Sequence, residues 1–549
     1  MKQKKIWRLG LLLLFGGLIF GGSRQMKVYA DLYHPQRVAV HDPSIFRDPK
    51  SNEFYIFGSH QAQAKSNNLL DWTPMFKQEY EQPSQIFTNY DQELKPMFDW
   101  AGHNDGDTAG GNYAIWAPDV VWNAQYRWND GTKGAYMYYF STSSSWIRSV
   151  IGYAVSKNVE GPYHYVDSVI YSGFTKTGQK QAPSTKSTAY QQTNVASLIK
   201  QGKISGFNNK WVRGNGYYNN DYAPNAIDVN VTTDKNGQMY LAYGSWSGGI
   251  FILPLNAQTG QAIYPGKDST NAAGQNVDRY FGTHLIGGYH ESGEAPYIKY
   301  DPKTDYYYLF TTYGGLFSNG GYNMRLFRSK TIDGKYVDSN GKQPIYTKEA
   351  NSDVTKQDNQ QYGVKMMGNY DFNCLPSAYM SPGHNSAYLD NDQTMYIVNH
   401  TRFNNGAENH EVRVHQTIMN QDNWPVSLPF EYTGHELQID RSNQQKIINQ
   451  IPGTYEFVNN NTQTQVTAIP KAQVTLDAQH QVKGALTGTW SVHSNGYQQL
   501  QMEIVSANGQ HYTGQFKLQQ DESAQRNNVL VFAAMGNNEV IWGSKLYNK

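Results

Sequence analysis

The sequence predicts an all-β protein, a five-bladed β-propeller followed by a smaller β-sandwich or barrel domain, and three observations carry that prediction. The 549 residues include 50 Gly and 42 Tyr while only 17% are charged, a composition of aromatic strands separated by many turns. One pattern then recurs along the chain: a polar or Pro-containing start, a short apolar strand, a polar turn and a Tyr-rich strand. Finally, beyond about residue 437 the pattern gives way to short alternating strands with Asn and Gly turns.

Residues 1–30 stand apart. Lys2, Lys4, Lys5 and Arg8 precede the apolar run "LGLLLLFGGLIFGG", and "VYA" precedes Asp31. That is a basic n-region, an h-region too short and Gly-interrupted for a comfortable membrane span, and a small-residue cleavage site, so a secretion signal cut after Ala30 is expected, with an uncleaved anchor as the alternative. No later stretch is long and apolar enough to cross a bilayer, so no membrane attachment is expected after cleavage.

The repeat occupies residues 31–437. Its copies are "HDPSIFRDPKSNEFYIFGS" from His41, "WAPDVVWN" from Trp116 leading to "AYMYYFSTSSS", and "NAIDVNVTTDKNGQMYLAYGSWSGG" from Asn225. The last two are "GEAPYIKYDPKTDYYYLFTTYGG" from Gly293 and "GHNSAYLDNDQTMYIVNHTRF" from Gly383. The turns "PKSN", "DKNG", "PKTD" and "DNDQ" have hairpin chemistry. The irregular spacing suits propeller blades with variable loops better than a solenoid. Residues 171–222, rich in Gln, Lys, Thr and Asn, read as an insertion loop shaping the cleft or as a disordered segment. Residues 438–549 read as a separate β-sandwich domain, in which Trp490, Tyr497 or Trp542 could either bind sugar or pack.

Charge and cysteine content exclude several classes. Removing residues 1–30 takes six basic residues and no acid from 46 basic and 45 acidic, leaving a net charge of −5. A mildly acidic chain without basic runs is a poor nucleic-acid binder. The only cysteine, Cys374, allows no intramolecular disulfide and has no activating partner in "DFNCLPSAYM". Export without disulfides points to a Gram-positive type of bacterium and an extracellular location. Nothing demands more than a monomer.

In a propeller the innermost strands line a central channel, so Asp42, Asp228, Glu294 and His384, at the strand starts, are expected to meet in one pocket. Facing carboxylates suffice to cleave a glycosidic bond: one protonates the departing oxygen, the other deprotonates a water on the opposite face. A gap of roughly 6.5–9.5 Å leaves room for that water and gives inversion. A third carboxylate raises the acid's pKa by like-charge repulsion.

At this point the residues resemble a known family. "VHDPSI", "WAPDV", "NAIDVNV", "YGSWSGGIFIL", "GEAPYIKYDPKTDYYYLFTTYGGL" and "SPGHNSAY", in that order over residues 38–415, are similar to the larger extracellular endo-α-1,5-L-arabinanases of glycoside hydrolase family 43. The resemblance implies a secreted hydrolase of plant cell-wall arabinan or arabino-oligosaccharides, with Asp42 as general base, Glu294 as general acid and Asp228 tuning and orienting the acid. It implies a Ca2+ ion in the channel approached by His384 and otherwise held by water. Calcium prefers oxygen ligands, so chemistry alone would make His384 a hydrogen bonder. It also implies substrate contacts from Trp116, Gly152, Asn225, Ser245, Trp246 and Ser247; Trp116 reads equally as a stacking ring or a packing residue. Two departures flank these positions: Val229 where Pro is common and Ala295 where Gly is common, predicting altered strand geometry without lost activity. Arg47-Asp48-Pro49 is similar to a motif of fructan-acting enzymes but falls in a hairpin turn too close to Asp42. The alternatives are an exo-acting α-L-arabinofuranosidase or β-xylosidase on the same scaffold, and a carbohydrate-binding propeller without catalysis.

Overall fold

The computed structural model describes residues 33–547 apart from residues 145–146, 292, 347–352, 495–498 and 524. The expected secretion signal and its cleavage site lie outside the described residues. Among those described, no helix is long and apolar enough to cross a membrane.

The chain is all-β: a β-propeller followed by a C-terminal β-domain. Antiparallel sheets follow one another in the order of the sequence repeats, each strand paired with the next. The first holds Ser44–Arg47, Phe54–Phe57, Gln63–Ser66 and Thr73–Pro74, and the second Ile115–Arg127, Lys133–Ser144, Arg148–Ser156 and His164–Tyr171. The third runs outward from Asn230–Thr233 through Met239–Tyr243 and Ile250–Pro254 to Gly282–Ile286, with two short strands beyond. Another four-stranded sheet holds Tyr379–Leu389, Met395–Phe403, His410–Met419 and Pro425–Ser427. Between the third sheet and this one, Glu294–Asp301, Tyr306–Tyr313, Asn323–Ser329 and Val364–Met367 pair in the same way, and their outermost strand continues by a parallel bridge, Lys365 to Glu539, into the C-terminal domain.

The innermost strands pack side by side in a ring: Ser44–Arg47 against Ile115–Arg127, then Asn230–Thr233, Glu294–Asp301 and Tyr379–Leu389, which returns to Ser44–Arg47. Hydrogen bonds tie this ring below the strand starts. Asp119 accepts from Ser44 Oγ, from Asn230 Nδ2 at 2.9 Å and from Val231 N at 2.6 Å, while Asn230 Oδ1 accepts from Ile298 N at 2.9 Å. Ser386 Oγ accepts from Ile45 N at 3.0 Å and donates to Pro43 O at 2.6 Å. Burial pushes the Asp119 carboxyl up to about 6 against these donors. A buried polar belt of this kind holds the sheets in fixed register.

Residues 172–222 are a packed segment. They carry the helix Asn194–Lys200, capped by Thr193, whose side chain accepts from Val195 N. Phe174, Phe207, Trp211 and Tyr218 cluster with Phe281 of the third sheet, and fully buried Trp211 donates Nε1 to Asp278 at 2.9 Å.

The C-terminal domain is a barrel and not a sandwich. Its strands pair in sequence order from Gly453–Asn460 through to Val529–Gly536, and the last strand, Glu539–Lys545, pairs with both of those, closing the sheet on itself. Trp490 and Trp542 are buried, donating Nε1 to Asp477 O at 3.0 Å and to Ser427 O at 2.7 Å, so both pack and neither offers a face to sugar. Tyr497 lies outside the described residues. Trp542 also meets Tyr370 edge-on, in a core shared with the propeller. Cys374 is half-buried beside that core, and burial pushes its thiol up.

Candidate active site

Each inner strand has a left-handed residue at the cavity: Asp42 (φ 55°) and Asp228 (φ 56°) just before their strands, Ala117 (φ 38°) and Ala295 (φ 58°) just inside theirs, and His384 (φ 43°) in the middle of Tyr379–Leu389. Three of the inner strands also shift register beside these residues, between Trp116 and Asp119, Glu294 and Tyr297, and Gly383 and Ser386. Such irregularities re-aim side chains that a regular strand would send to alternate faces. The result is a cavity of about 490 Å³ lined by Asp42, Trp116, Asp228, Glu294 and His384. Residues with no role assigned from the sequence join them there, including His41, Ser59, Tyr322, Arg402 and His410.

Asp42 is buried and heavily partnered. Its Oδ1 faces His41 Nδ1 at 2.8 Å and His384 Nδ1 at 3.0 Å, and its Oδ2 accepts from Ser59 Oγ. Its backbone N–H donates to His400 Nδ1 at 3.2 Å, making that nitrogen the acceptor. Burial would raise the Asp42 carboxyl, but the charges and hydrogen bonds of His384 and His41 outweigh it and hold the group well below the usual carboxylate range. Burial would likewise lower His384, yet Asp42, Asp228 and Glu294 raise it to about 9. His400, buried beside His41, is held neutral.

Glu294 is gripped from three sides, by Ser245 Oγ and Trp246 Nε1 at 3.1 Å each and by Tyr322 OH. Asp228 Oδ2 accepts from the backbone N–H of Ala295 at 3.2 Å, so this carboxylate holds the residue next to Glu294. Burial raises the Asp228 carboxyl; His384 opposes the shift, while Glu294 and Asp42 add to it.

The remaining predicted contacts divide. Ser245 and Trp246 reach Glu294 itself, and buried Ser247 accepts His290 N–H through its backbone oxygen at 2.9 Å. Trp116 is half-buried and lines the cavity. Asn225 Oδ1 is taken by Ser149 Oγ at 2.8 Å. Gly152 is the exception. It sits on the third strand of its sheet, two strands outward from Trp116, where an added Cβ would come 2.7 Å from Met97 Sδ. Its lack of a side chain is required by packing within the blade.

The donors around His384 suit a cation only in part. With Nδ1 engaged by Asp42, one ring nitrogen remains, and the flanking carboxylates supply negative charge but no oxygen cage of the kind calcium takes. The set fits an ion bound by one nitrogen and otherwise by water only where the ion displaces the ring proton that the carboxylates otherwise hold on His384. A second group, His41, Asp42 and His400, brings its donor atoms within 4.8 Å of one another, but two nitrogens and one carboxylate are not calcium chemistry.

Comparison with known proteins follows this geometry. Residues 207–425 match the model for glycosyl hydrolases family 43 and residues 429–543 that for its C-terminal lipocalin-like domain. The chain is 34% identical, over 98% of its length and 99% of the relative's, to extracellular endo-α-(1→5)-L-arabinanase 2 of Bacillus subtilis. It is 33% identical to an extracellular endo-α-(1→5)-L-arabinanase of Thermotoga petrophila, over 92% of this chain and 93% of that one. A crystal structure of endo-1,5-α-L-arabinanase from Thermotoga petrophila superposes with a TM-score of 0.73 at 32% identity, covering 94% of this chain and all of that one.

Proposed function

The chain belongs to glycoside hydrolase family 43, and on that premise we propose that it is a secreted endo-hydrolase of linear α-1,5-L-arabinan acting by inversion. The observation that carries the chemistry is the meeting of Asp42, Asp228 and Glu294, from three different sheets, in one cavity. Asp42, kept ionised by two histidines, takes a proton from water. The water oxygen bonds to the anomeric carbon as the bond to the leaving sugar oxygen breaks, and Glu294 gives that oxygen its proton. Asp228 holds Glu294 in place through the Ala295 amide, and its buried charge couples to the acid.

The closed ring of inner strands and the recurring left-handed residue support counting the four strands from Glu294 to Met367 as a blade, which makes five. In the same reading residues 31–437 are the catalytic unit and 438–549 its partner domain, acting as a monomer. Calcium enters only as an ion on the free ring nitrogen of His384 with a shell of water; when bound it would supply positive charge among the carboxylates. Chelation is then expected to lower the melting temperature, and a melting curve indifferent to chelator removes calcium from the site.

The deciding experiment is the early product profile on debranched arabinan. A rapid fall in viscosity with mixed short oligosaccharides is expected. Release of arabinose alone from a polymer that stays long replaces endo by exo action.

A further inference from the structure

A second concave site lies on the face built by residues 210–222. An open pocket of about 400 Å³ is lined by Lys210, Asn219, Asp221, Tyr222, Tyr289 and Tyr346. Its walls are aromatic. Tyr222 and Tyr346 lie nearly parallel, 4° apart in plane with centroids at 6.4 Å, and Tyr289 meets Tyr346 at 74° and 5.5 Å. Tyr289 is 36% exposed, and the backbone is bent to put it there: Gly287, Gly288, Tyr289 and His290 are all left-handed in succession, two of them with side chains that disfavour it. Strain of that kind persists where the surroundings hold it and clusters at ligand sites.

The polar groups at the pocket are close to neutral in sum. Asp221 is paired with Arg213 at 2.8 Å and faces His290 at 3.4 Å, and the Lys210 ammonium lies over the Tyr222 ring at 5.6 Å. Rings, an amide and a carboxylate already paired with Arg213 suit an uncharged polyhydroxyl ligand. The pocket is also wired to the catalytic cavity. Tyr289 N–H donates to Asp221 O at 3.1 Å and His290 N–H to Ser247 O at 2.9 Å, while the neighbouring Trp246 holds Glu294.

We propose that this pocket is a second carbohydrate subsite, which takes a neutral furanosyl stretch of the same polymer whose scissile bond lies in the catalytic cavity. It rests on the arabinan reading above. The segment 172–222 thereby carries one wall of a site that a short substrate does not reach.

The test compares full-length wild type, Tyr289→Ala and Tyr289→Phe on linear arabinan and on arabinotriose. Binding of each tyrosine variant in a Glu294→Gln background to immobilised linear arabinan and homogalacturonan is measured in parallel. Tyr289→Ala is expected to raise KM on the polymer by about three- to tenfold, the worth of one aromatic contact, leaving kcat and both constants on arabinotriose unchanged. Tyr289→Phe should behave as wild type. Unchanged KM on the polymer overturns the subsite, and so does an equal loss on both substrates, which would mean action through Ser247 on Glu294. Binding to homogalacturonan that depends on Tyr289 overturns the neutral ligand. A wild type that cleaves no arabinan sinks the functional reading; Tyr289-dependent binding of the polymer by the Glu294→Gln protein then still upholds this one, and its absence overturns it.

Discussion

The costliest residues of the site are those with a left-handed backbone along the inner strands. A side chain in the left-handed region costs roughly 1–2 kcal/mol, and Ala295, unlike Asp42 and Asp228, has no polar group to offset it. Ala295→Gly is therefore expected to raise stability, by about 1 kcal/mol or less after the entropy glycine loses on folding, with activity retained. Chemical denaturation measures the first and arabinan hydrolysis the second. Glu294→Gln should cut kcat on arabinan by about 10²- to 10⁴-fold and spare aryl arabinosides with good leaving groups, which need little protonation. Equal losses on both would remove Glu294 as the acid. Tyr322→Phe deletes one of the three donors to Glu294, and its effect belongs in the split between kcat and KM on arabinan. A lowered kcat with KM little changed is expected, whereas a raised KM with kcat unchanged would make Tyr322 a substrate contact.

At the scale of elements, the strand starts are legible because the repeat puts chemically distinct residues at one equivalent position. Asp42, Asp228, Glu294 and His384 can thus be brought together without knowing a single distance. Tyr322, Ser59 and His400 are not legible: Tyr322 lies outside the quoted repeats, and Ser59 and His400 sit at or after the second strand of theirs, where nothing in the sequence marks which side chains turn back to the channel. Gly152 shows the opposite failure: a glycine in a resembling stretch has no register until strands are paired, and pairing sends it to a blade interior. The segment 172–222 has a loop-like composition because polar residues dominate it, yet a few aromatics anchor it. Trp211→Ala should cost about 3–5 kcal/mol in a denaturant titration, through lost volume and one lost donor to Asp278. A loss under about 1 kcal/mol would mean that the segment is only loosely attached.

At the scale of the whole molecule, buried histidines set the acid limit. Burial lowers His284 and His415 to about 4 from an ordinary 6.5. The unfolded chain therefore takes up protons first, so stability present above about pH 6.5 falls as the pH drops through 4. Melting temperatures across that window should fall with pH, and His415→Asn, if it folds, should flatten the slope; an unchanged slope assigns the limit elsewhere. The barrel contributes Val531, Ala533 and Trp542 to a core with Tyr370 and Phe430 of the propeller. A chain ended at residue 437 should accordingly be insoluble or melt far lower, and a soluble truncation with wild-type melting would make the barrel an independent attachment.

The two ends of the described chain are also knotted together by hydrogen bonds. Tyr33 and Gln520, 487 residues apart, exchange a backbone N–H and a backbone oxygen for the two ends of one amide side chain, and Arg37 reaches Glu431 at 2.7 Å. Tyr33 thus lacks this partner until nearly the whole chain has been synthesised. The first described residues are therefore fastened last, by a side chain the ribosome has yet to add when every strand of the propeller has already been made.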